Sequence, residues 1–233
     1  MFCPPPHLIF FKLVVIPLDT MITVALVDDH TLFRKAFTFF IKSACRINVC
    51  MEAVNGDDLL TQLQSSDVHP TVILSDIMMP VMDGRELTLT IKKLYPHIKV
   101  IALSSLHHED TVIDMFRCGV KGFITKNVEP DDLIKALHTV INNQYFLFDG
   151  ENENIFSSYN NFQKNKTEHS LTEKQIQFLQ LCATDLTYKA IAEKLDISPR
   201  TVDAHRDHLF EKLNIKSRTG LALYAMQNGY VEL

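Results

Sequence analysis

The residues best suited to chemistry in this 233-residue sequence are three carboxylates, a hydroxyl and a lysine, each at the end of a short apolar run. Asp28 and Asp29 follow the first run, Asp76 the third, Ser104 the fourth and Lys126 the fifth. Clustered carboxylates repel one another and need a cation, and an all-oxygen site suits Mg²⁺. A nearby lysine adds a fixed positive charge. The set predicts a phosphoryl group held between Mg²⁺ and the lysine, with Asp76 as the nucleophile.

The pattern along the chain predicts how these residues are brought together. Five apolar runs rich in β-branched residues each precede an amphipathic helical stretch. The later runs are nearly continuous in apolar character, as in strands covered on both faces. Such units predict an α/β fold with a doubly wound, five-stranded parallel sheet. Ligands bind outside the carboxyl ends of such strands, where the polar residues fall. The predicted strands are 22–27, 47–54, 71–75, 98–104 and 122–125.

The segments that carry these residues resemble the receiver domain of two-component response regulators. They read ALVDDH, ILSDIMMPVMDG, ALSSLHHED and GFITK, and the resemblance covers about 22–142. It implies a flavodoxin-like fold in which Asp76 accepts phosphate from a sensor histidine kinase. It also implies Mg²⁺ held by Asp28, Asp29, Asp76 and the backbone carbonyl of Met78.

The same resemblance implies a switch pair, a hydroxyl at Ser104 and an aromatic ring at Phe123, three positions before Lys126. Ser104 is expected to move toward the phosphorylated site while Phe123 repacks inward. The chain departs from the family after the lysine, where many receivers have a proline, often with a cis bond. Asn127 stands there, and a cis bond before a residue other than proline is costly.

The second half of the chain has a different pattern. Residues 144–169 are polar and without a sustained period, which predicts a linker with a few locally packed aromatics. From Leu171 the pattern is helical, with Thr172 as the first N-cap. Two short helices then meet at a tight turn, with Ser198 as the cap of the second and Pro199 in its first turn. This arrangement is typical of a helix-turn-helix.

The segment from Leu171 resembles the LuxR-type helix-turn-helix domain of the NarL/FixJ response-regulator subfamily. The matching residues are LTEKQ and LTYKAIAEKLDISPRTVDAHRDHLFEKLNIKSR, although the family's opening usually ends in Arg-Glu rather than Lys174-Gln175. The helix PRTVDAHRDHLFEKLN is expected to enter the major groove of double-stranded promoter DNA with its N-terminal half. The candidate phosphate contacts are Lys189, Thr201, His205, Arg206 and Lys212. The candidates for base edges are Asp203, Ala204 and Asp207, since an acid can accept from cytosine.

The charge balance limits how this half can bind. The formal net charge is −5, and residues 169–233 hold as many basic as acidic residues. Phosphate neutralisation dominates DNA affinity, so a single domain should bind weakly and a homodimer on a two-fold site would compensate. The resemblance implies pairing through the last helix, which points to Leu221, Tyr224 and Ala225.

The first twenty residues are expected to lie outside the fold. Their apolar stretch, 8–18, carries Lys12 and is shorter than the roughly 20 residues of a spanning helix, and no signal-peptide pattern is present. A non-native or misassigned extension is the preferred interpretation. A loosely held tail or a membrane-proximal anchor is the alternative. The five scattered cysteines lack metal-ligand spacing and predict reduced thiols in a cytoplasmic protein.

The combined prediction is a transcription regulator that binds DNA when Asp76 is phosphorylated, without turnover of a separate substrate. Its domains are expected at 1–20 (extension), 21–143 (receiver), 144–169 (linker) and 170–233 (DNA binding). An aspartate-nucleophile phosphatase is an alternative, but such enzymes usually have a second acid two residues on, where this chain has Met78. A phosphorylated interaction module that has lost DNA binding is the other.

Overall fold

A computed structural model describes residues 21–43, 47–105, 108–147, 171–213 and 215–231. The predicted extension at 1–20 and most of the predicted linker lie outside the described residues, as do Cys3 and Cys45. The other cysteines, Cys50, Cys118 and Cys182, are free thiols. Burial raises the pKa of the Cys182 thiol to about 12, which keeps it protonated and unreactive.

The N-terminal domain is the predicted doubly wound α/β fold, built on a parallel sheet with strand order β2-β1-β3-β4-β5-β6. The strands are β1 Ile22–Val27, β2 Ile47–Ala53, β3 Val72–Asp76, β4 Lys99–Ser104, β5 Gly122–Thr125 and β6 Phe146–Leu147. The helices are α1 Thr31–Ser43, α2 Gly56–Ser65, α3 Gly84–Leu94, α4 Glu109–Cys118 and α5 Pro130–Ile141.

The sixth strand corrects two predictions. The sheet has six strands rather than five, and the domain continues past the predicted boundary at residue 143. β6 pairs with β5 through Gly122–Phe146 and Phe123–Leu147, and both of its side chains are buried. Two residues are too few to show the alternation or apolar run that marks a strand in sequence, which is why the pattern missed it.

Two apolar cores flank the sheet, which explains the continuous apolar character of the strands. One core packs side chains of α1 and α5, such as Ile41 and Leu137, against one face. The other packs side chains of α2, α3 and α4, such as Leu63, Ile91 and Phe116, against the opposite face. Every residue of β3 is buried. Among the described residues, the helices therefore cover both faces of the sheet and leave the carboxyl ends of the strands accessible.

The C-terminal domain is helical, with α6 Glu173–Cys182, α7 Tyr188–Leu195, α8 Pro199–Leu213 and α9 Arg218–Gln227. The predicted cap at Thr172 is confirmed and forms a capping box with Gln175. Gln175 thus fills the role of the usual glutamate. Ser198 Oγ accepts from the Thr201 N–H at 3.1 Å, which confirms the predicted start of α8. Asp196 closes α7 in the left-handed region, which aspartate tolerates.

The two domains are in contact through α4 and α9. Ala222, Leu223 and Met226 of α9 join the apolar cluster that contains Phe116 of α4. At the edge of this contact, a carboxylate oxygen of Glu109 accepts from the backbone N–H of Thr219 at 3.0 Å and from its hydroxyl at 3.1 Å. Glu109 therefore accepts two hydrogen bonds from the start of α9.

Within the segments that the structure describes, no helix combines the length and apolar character that a bilayer crossing requires.

Candidate functional site

Asp76 lies at the carboxyl end of β3, where the strand gives way to a tight loop, and its side chain is buried. Its Oδ1 accepts from the backbone N–H of Ile77 at 2.7 Å and of Met78 at 3.4 Å. Its Oδ2 accepts from Lys126 Nζ at 2.6 Å. These bonds fix the orientation of the carboxylate at the open edge of the sheet. Met78, the expected carbonyl ligand, lies in the same loop.

Gly84 allows the loop after β3 to close on Asp76. A Cβ at this position would lie 2.2 Å from the Asp76 backbone oxygen, so no side chain fits there. Asp83, just before it, caps α3 by accepting from the Glu86 N–H at 2.8 Å. The Asp-Gly pair is thus a turn and a helix start.

Asp28, Asp29 and Asp76 come together with His30 at this edge. Each residue offers a ligand atom, and these atoms lie within 4.8 Å of one another. The carboxylates form a hard oxygen set, which fits Mg²⁺. The His30 ring is exposed, and its Nδ1 lies 2.9 Å from an Asp29 carboxylate oxygen.

Lys126 supplies the positive charge of the site. Its Nζ lies 2.7 Å from Asp28 Oδ2 and 2.6 Å from Asp76 Oδ2, and 4.9 Å from the centre of the Phe33 ring. Partial burial alone lowers the pKa of the ammonium, but the bonds to the two carboxylates outweigh it, and the pKa is raised. A lysine with a raised pKa loses its charge only at strongly alkaline pH, so it stays cationic. The Lys126–Asn127 bond is trans, like every peptide bond among the described residues.

Arg34 was missed by the sequence analysis. It is buried on α1, and its guanidinium donates to the backbone carbonyl of Asp28. It also lies 4.0 Å from a carboxylate oxygen of Glu52, which pairs with Lys35. Arg34 thereby holds the turn that carries the acidic pair. One signal was available: a lone arginine on the face of α1 that also buries Thr38 and Ile41 is unusual unless it has a buried partner.

Of the predicted switch pair, Phe123 is already fully buried, in the same apolar cluster as Phe116. The ring already lies inside the domain in this structure, so the expected inward repacking is not required. Ser104 ends β4, and its carbonyl accepts from the Lys126 N–H at 2.8 Å.

An open pocket of about 530 Å³ adjoins the site. It lies between the start of α1 and the loop after β5, and Leu32 beside it is exposed. Lys126 forms part of its lining, so a molecule in the pocket would face the ammonium that contacts Asp76. The lining residues are His30, Leu32, Phe33, Ser105, Lys126 and Asn127.

The second candidate surface is the outer side of α8. Val202, Leu209 and Leu213 face the domain core, while most candidate DNA contacts lie on the open side. His205 is half-buried, and its ring lies 6.2 Å from that of buried Phe178. The exposed residues of α7 and α8 include Lys189, Arg200, Thr201, Asp203, Ala204, Asp207 and His208, and Lys212 is half-buried. Arg200 and His208 lie on the same exposed surface but were not among the predicted contacts.

The predicted dimer contacts need correction. Leu221 and Ala225 are fully buried and pack with Phe178 and Leu179 inside the C-terminal domain itself. They stabilise this domain and are not available to a second chain. Tyr224 is half-buried. The apolar side chains of α9 that leave the domain core, Ala222, Leu223 and Met226, instead contact the N-terminal domain.

Comparison with protein families assigns both halves. Residues 24–138 match the model of the response regulator receiver domain, and residues 169–225 match the model of bacterial regulatory proteins of the luxR family.

Relatives match along nearly the whole chain. The nitrate/nitrite response regulator protein NarL of Escherichia coli (strain K12) is 31% identical over 207 residues, covering 88% of this chain and 95% of the relative. The response regulator GacA of Pseudomonas aeruginosa is 30% identical over 213 residues, covering 91% of this chain and 99% of the relative.

Solved structures show the same fold. The receiver domain of the putative response regulator NarL from Mycobacterium tuberculosis aligns with a TM-score of 0.50 at 25% identity, covering 54% of this chain and 99% of that one. A response regulator RcsB of Salmonella typhimurium aligns with a TM-score of 0.50 at 21% identity, covering 89% and 99%.

Proposed function

Because the chain belongs to the NarL/FixJ-type response regulators, in which a receiver domain precedes a LuxR-type DNA-binding domain, we propose that phosphorylation of Asp76 by a sensor histidine kinase controls its binding to promoter DNA. The observation that carries the proposal is the contact of Asp76 with Lys126 beside Asp28 and Asp29. A DNA-binding regulator acts where chromosomal DNA lies, so the proposal includes a cytoplasmic location.

Each residue of the site has its own role in the phosphoryl transfer. An oxygen of Asp76 attacks the phosphorus of the phosphohistidine, the phosphorus–nitrogen bond breaks, and the departing imidazole takes up a proton. Lys126, which already touches Asp76, is placed to bind the phosphoryl oxygens. Bound Mg²⁺, held by Asp28, Asp29, Asp76 and the Met78 carbonyl, would supply charge neutralisation for the phosphoryl group. The kinase would approach through the pocket beside Lys126 and exposed Leu32.

The contact between α4 and α9 suggests how the receiver controls the DNA-binding domain. It covers Ala222, Leu223 and Met226 and leaves the outer side of α8 exposed. The receiver therefore blocks pairing through α9 rather than access of α8 to DNA. α4 begins five residues after Ser104, so a movement of Ser104 toward the phosphorylated site would reach Glu109. Release of α9 would then allow two DNA-binding domains to pair.

The experiment compares half-site and full-site DNA, taken from a selection on random sequences, with the full chain before and after beryllofluoride treatment. Treatment should tighten full-site binding by about tenfold and half-site binding much less, because pairing needs both half-sites. Equal gains on both DNAs would exclude pairing as the mechanism. Failure to select any DNA would favour the alternative of an interaction module that has lost DNA binding.

The metal site gives a separate prediction. Asp29→Asn should weaken Mg²⁺ binding by about fivefold, because ligand charge sets affinity at such sites. Less repulsion among the carboxylates should also make the metal-free protein more stable. Asp131→Asn is the matched control, since Asp131 is an exposed acid in the first turn of α5. A titration in which both variants match the wild type would show that Asp29 is not a ligand.

A further inference from the structure

The guanidinium of Arg206, in the middle of α8, is held between two acidic side chains of the same helix. Its Nε and Nη2 donate to Asp207 Oδ1 at 2.9 and 2.8 Å, and its Nη1 donates to Asp203 Oδ1 at 2.9 Å. Each of the three guanidinium nitrogens therefore has a carboxylate partner. Three of the five guanidinium N–H groups are thus bonded to carboxylates, and a phosphate that approached the other two would be repelled by these negative charges.

The inner face of the same guanidinium is held by an aromatic side chain of α7. The Arg206 Cζ lies 5.6 Å from the centre of the Tyr188 ring, a distance at which a cation is attracted to an aromatic face. Tyr188 in turn stacks on buried Phe178, with 6.2 Å between ring centres and 7° between planes. The Tyr188 ring thus lies against one face of the guanidinium, and the carboxylates of Asp203 and Asp207 bind its edge.

The carboxylates, rather than the guanidinium, form the outer surface at this point. The side chains of Asp203 and Asp207 are 55% and 63% exposed, whereas Arg206 is 29% exposed. DNA that approaches α8 therefore meets negative charge first. The charged residues of the whole helix are three basic and three acidic, namely Arg200, Arg206, Lys212, Asp203, Asp207 and Glu211.

This arrangement disfavours binding to DNA of unrelated sequence. Non-specific affinity comes almost wholly from cations that neutralise phosphates, and here one central cation is already neutralised. In the major groove, however, a carboxylate can accept a hydrogen bond from the amino group of cytosine, and the amino group of adenine is also a donor there. The acceptor atoms of guanine and thymine would repel it.

We infer that Asp203 and Asp207 make Arg206 a conditional contact: they keep its guanidinium from the phosphates of unrelated DNA, and cytosine or adenine bases that present an amino group to the two carboxylates release it. The inference rests on the proposed DNA-binding function and names what the site discriminates. Asp207 then determines specificity more than affinity.

The test measures binding of the beryllofluoride-treated full chain to two duplexes across a range of salt concentrations. One duplex carries a site that the wild-type chain selects from random sequences, and the other has the same bases in scrambled order. Asp207→Asn should tighten binding to the scrambled duplex about fivefold, with a salt slope steeper by about 0.9, the change expected for one added phosphate contact. Affinity for the selected site should change by less than about twofold, so the specificity ratio falls.

Two further variants separate release of Arg206 from the change of net charge. Glu211→Gln removes an equal charge from an exposed position one turn further along α8 and should leave the salt slope unchanged. Arg206→Gln combined with Asp207→Asn should abolish the gain. Misfolding would weaken DNA binding, so tighter binding by a variant cannot result from misfolding.

The inference is overturned if Asp207→Asn does not tighten binding to scrambled DNA, if Glu211→Gln has the same effect, or if the gain persists without Arg206. A wild-type chain that selects a site while Asp207→Asn leaves the specificity ratio unchanged would overturn this inference alone. A wild-type chain that selects no site would overturn the proposed function with it.

Discussion

Replacement of Asp76 by asparagine is expected to reduce phosphate incorporation to below about 1% of the wild-type level, because a neutral amide is a poor nucleophile. The substitution keeps the size of the side chain, and the amide oxygen can still accept from the Ile77 N–H that now binds Oδ1 at 2.7 Å. The loss would therefore report on the chemistry of the carboxylate rather than on the shape of the loop. Incorporation is measured with labelled acetyl phosphate and with a phosphorylated histidine kinase.

Asp83→Asn is the matched control for this experiment. It removes one negative charge from the same loop, and asparagine serves as well as aspartate at the start of a helix, so the cap on Glu86 is kept. This variant should incorporate phosphate at close to the wild-type level. Retained labelling in Asp76→Asn, or equal losses in the two variants, would show that the phosphoacceptor has been misassigned.

The sequence predicted the position of the acidic residues because strand ends are a local property. Asp28, Asp76 and Lys126 each follow an apolar run, and parallel strands bring their carboxyl ends to one edge. The sequence could not predict which atoms touch. The distances from Lys126 Nζ to Asp28 and Asp76 depend on how the loop after β5 folds back over the sheet.

Arg34 shows a second limit on what can be predicted from the sequence. Its place on the buried face of α1 indicates that it has a partner, but that partner is the backbone carbonyl of Asp28, which residue patterns do not identify. The short strand β6 was missed for a related reason: its pairing with β5 is a tertiary contact.

The errors on α9 have a physical cause. Its apolar residues exceed what one face of a small domain needs, and the sequence does not show which of them face inward. Leu221 and Ala225 pack in the domain's own core, whereas Ala222, Leu223 and Met226 contact the receiver. An acidic residue at Leu221 would bury a charge, which is strongly unfavourable. A test of pairing therefore has to use the side of α9 that contacts the receiver.

The contact between α4 and α9 gives the second large prediction. Glu109 begins α4, and one of its carboxylate oxygens binds both the N–H and the hydroxyl of Thr219. Hydrogen bonds to charged groups contribute about 1.5–3 kcal/mol, and the exposure of Glu109 places this contact near the lower figure. Its removal should shift the balance between the closed and released domains by about tenfold, since about 1.4 kcal/mol corresponds to a factor of ten.

Glu109→Ala should therefore let the unphosphorylated chain bind full-site DNA about tenfold more tightly, through release of α9. Half-site binding should change little, because the outer side of α8 is exposed in the closed state. Thr219→Val keeps the backbone donor and removes the hydroxyl, so a smaller effect in the same direction is expected. DNA titrations report the affinity, and small-angle X-ray scattering of the free chain reports the separation of the domains.

Asp110→Ala distinguishes this contact from a general effect of charge. Asp110 is the next residue of α4, lies in the same first turn and is exposed, so its loss changes the helix dipole interaction and net charge in the same way. If Asp110→Ala activates the unphosphorylated chain as strongly as Glu109→Ala, the bond to Thr219 does not restrain α9. If Glu109→Ala alone activates, the receiver restrains α9 through this bond. Phosphorylation should then add little to the affinity of that variant, because both changes release the same helix.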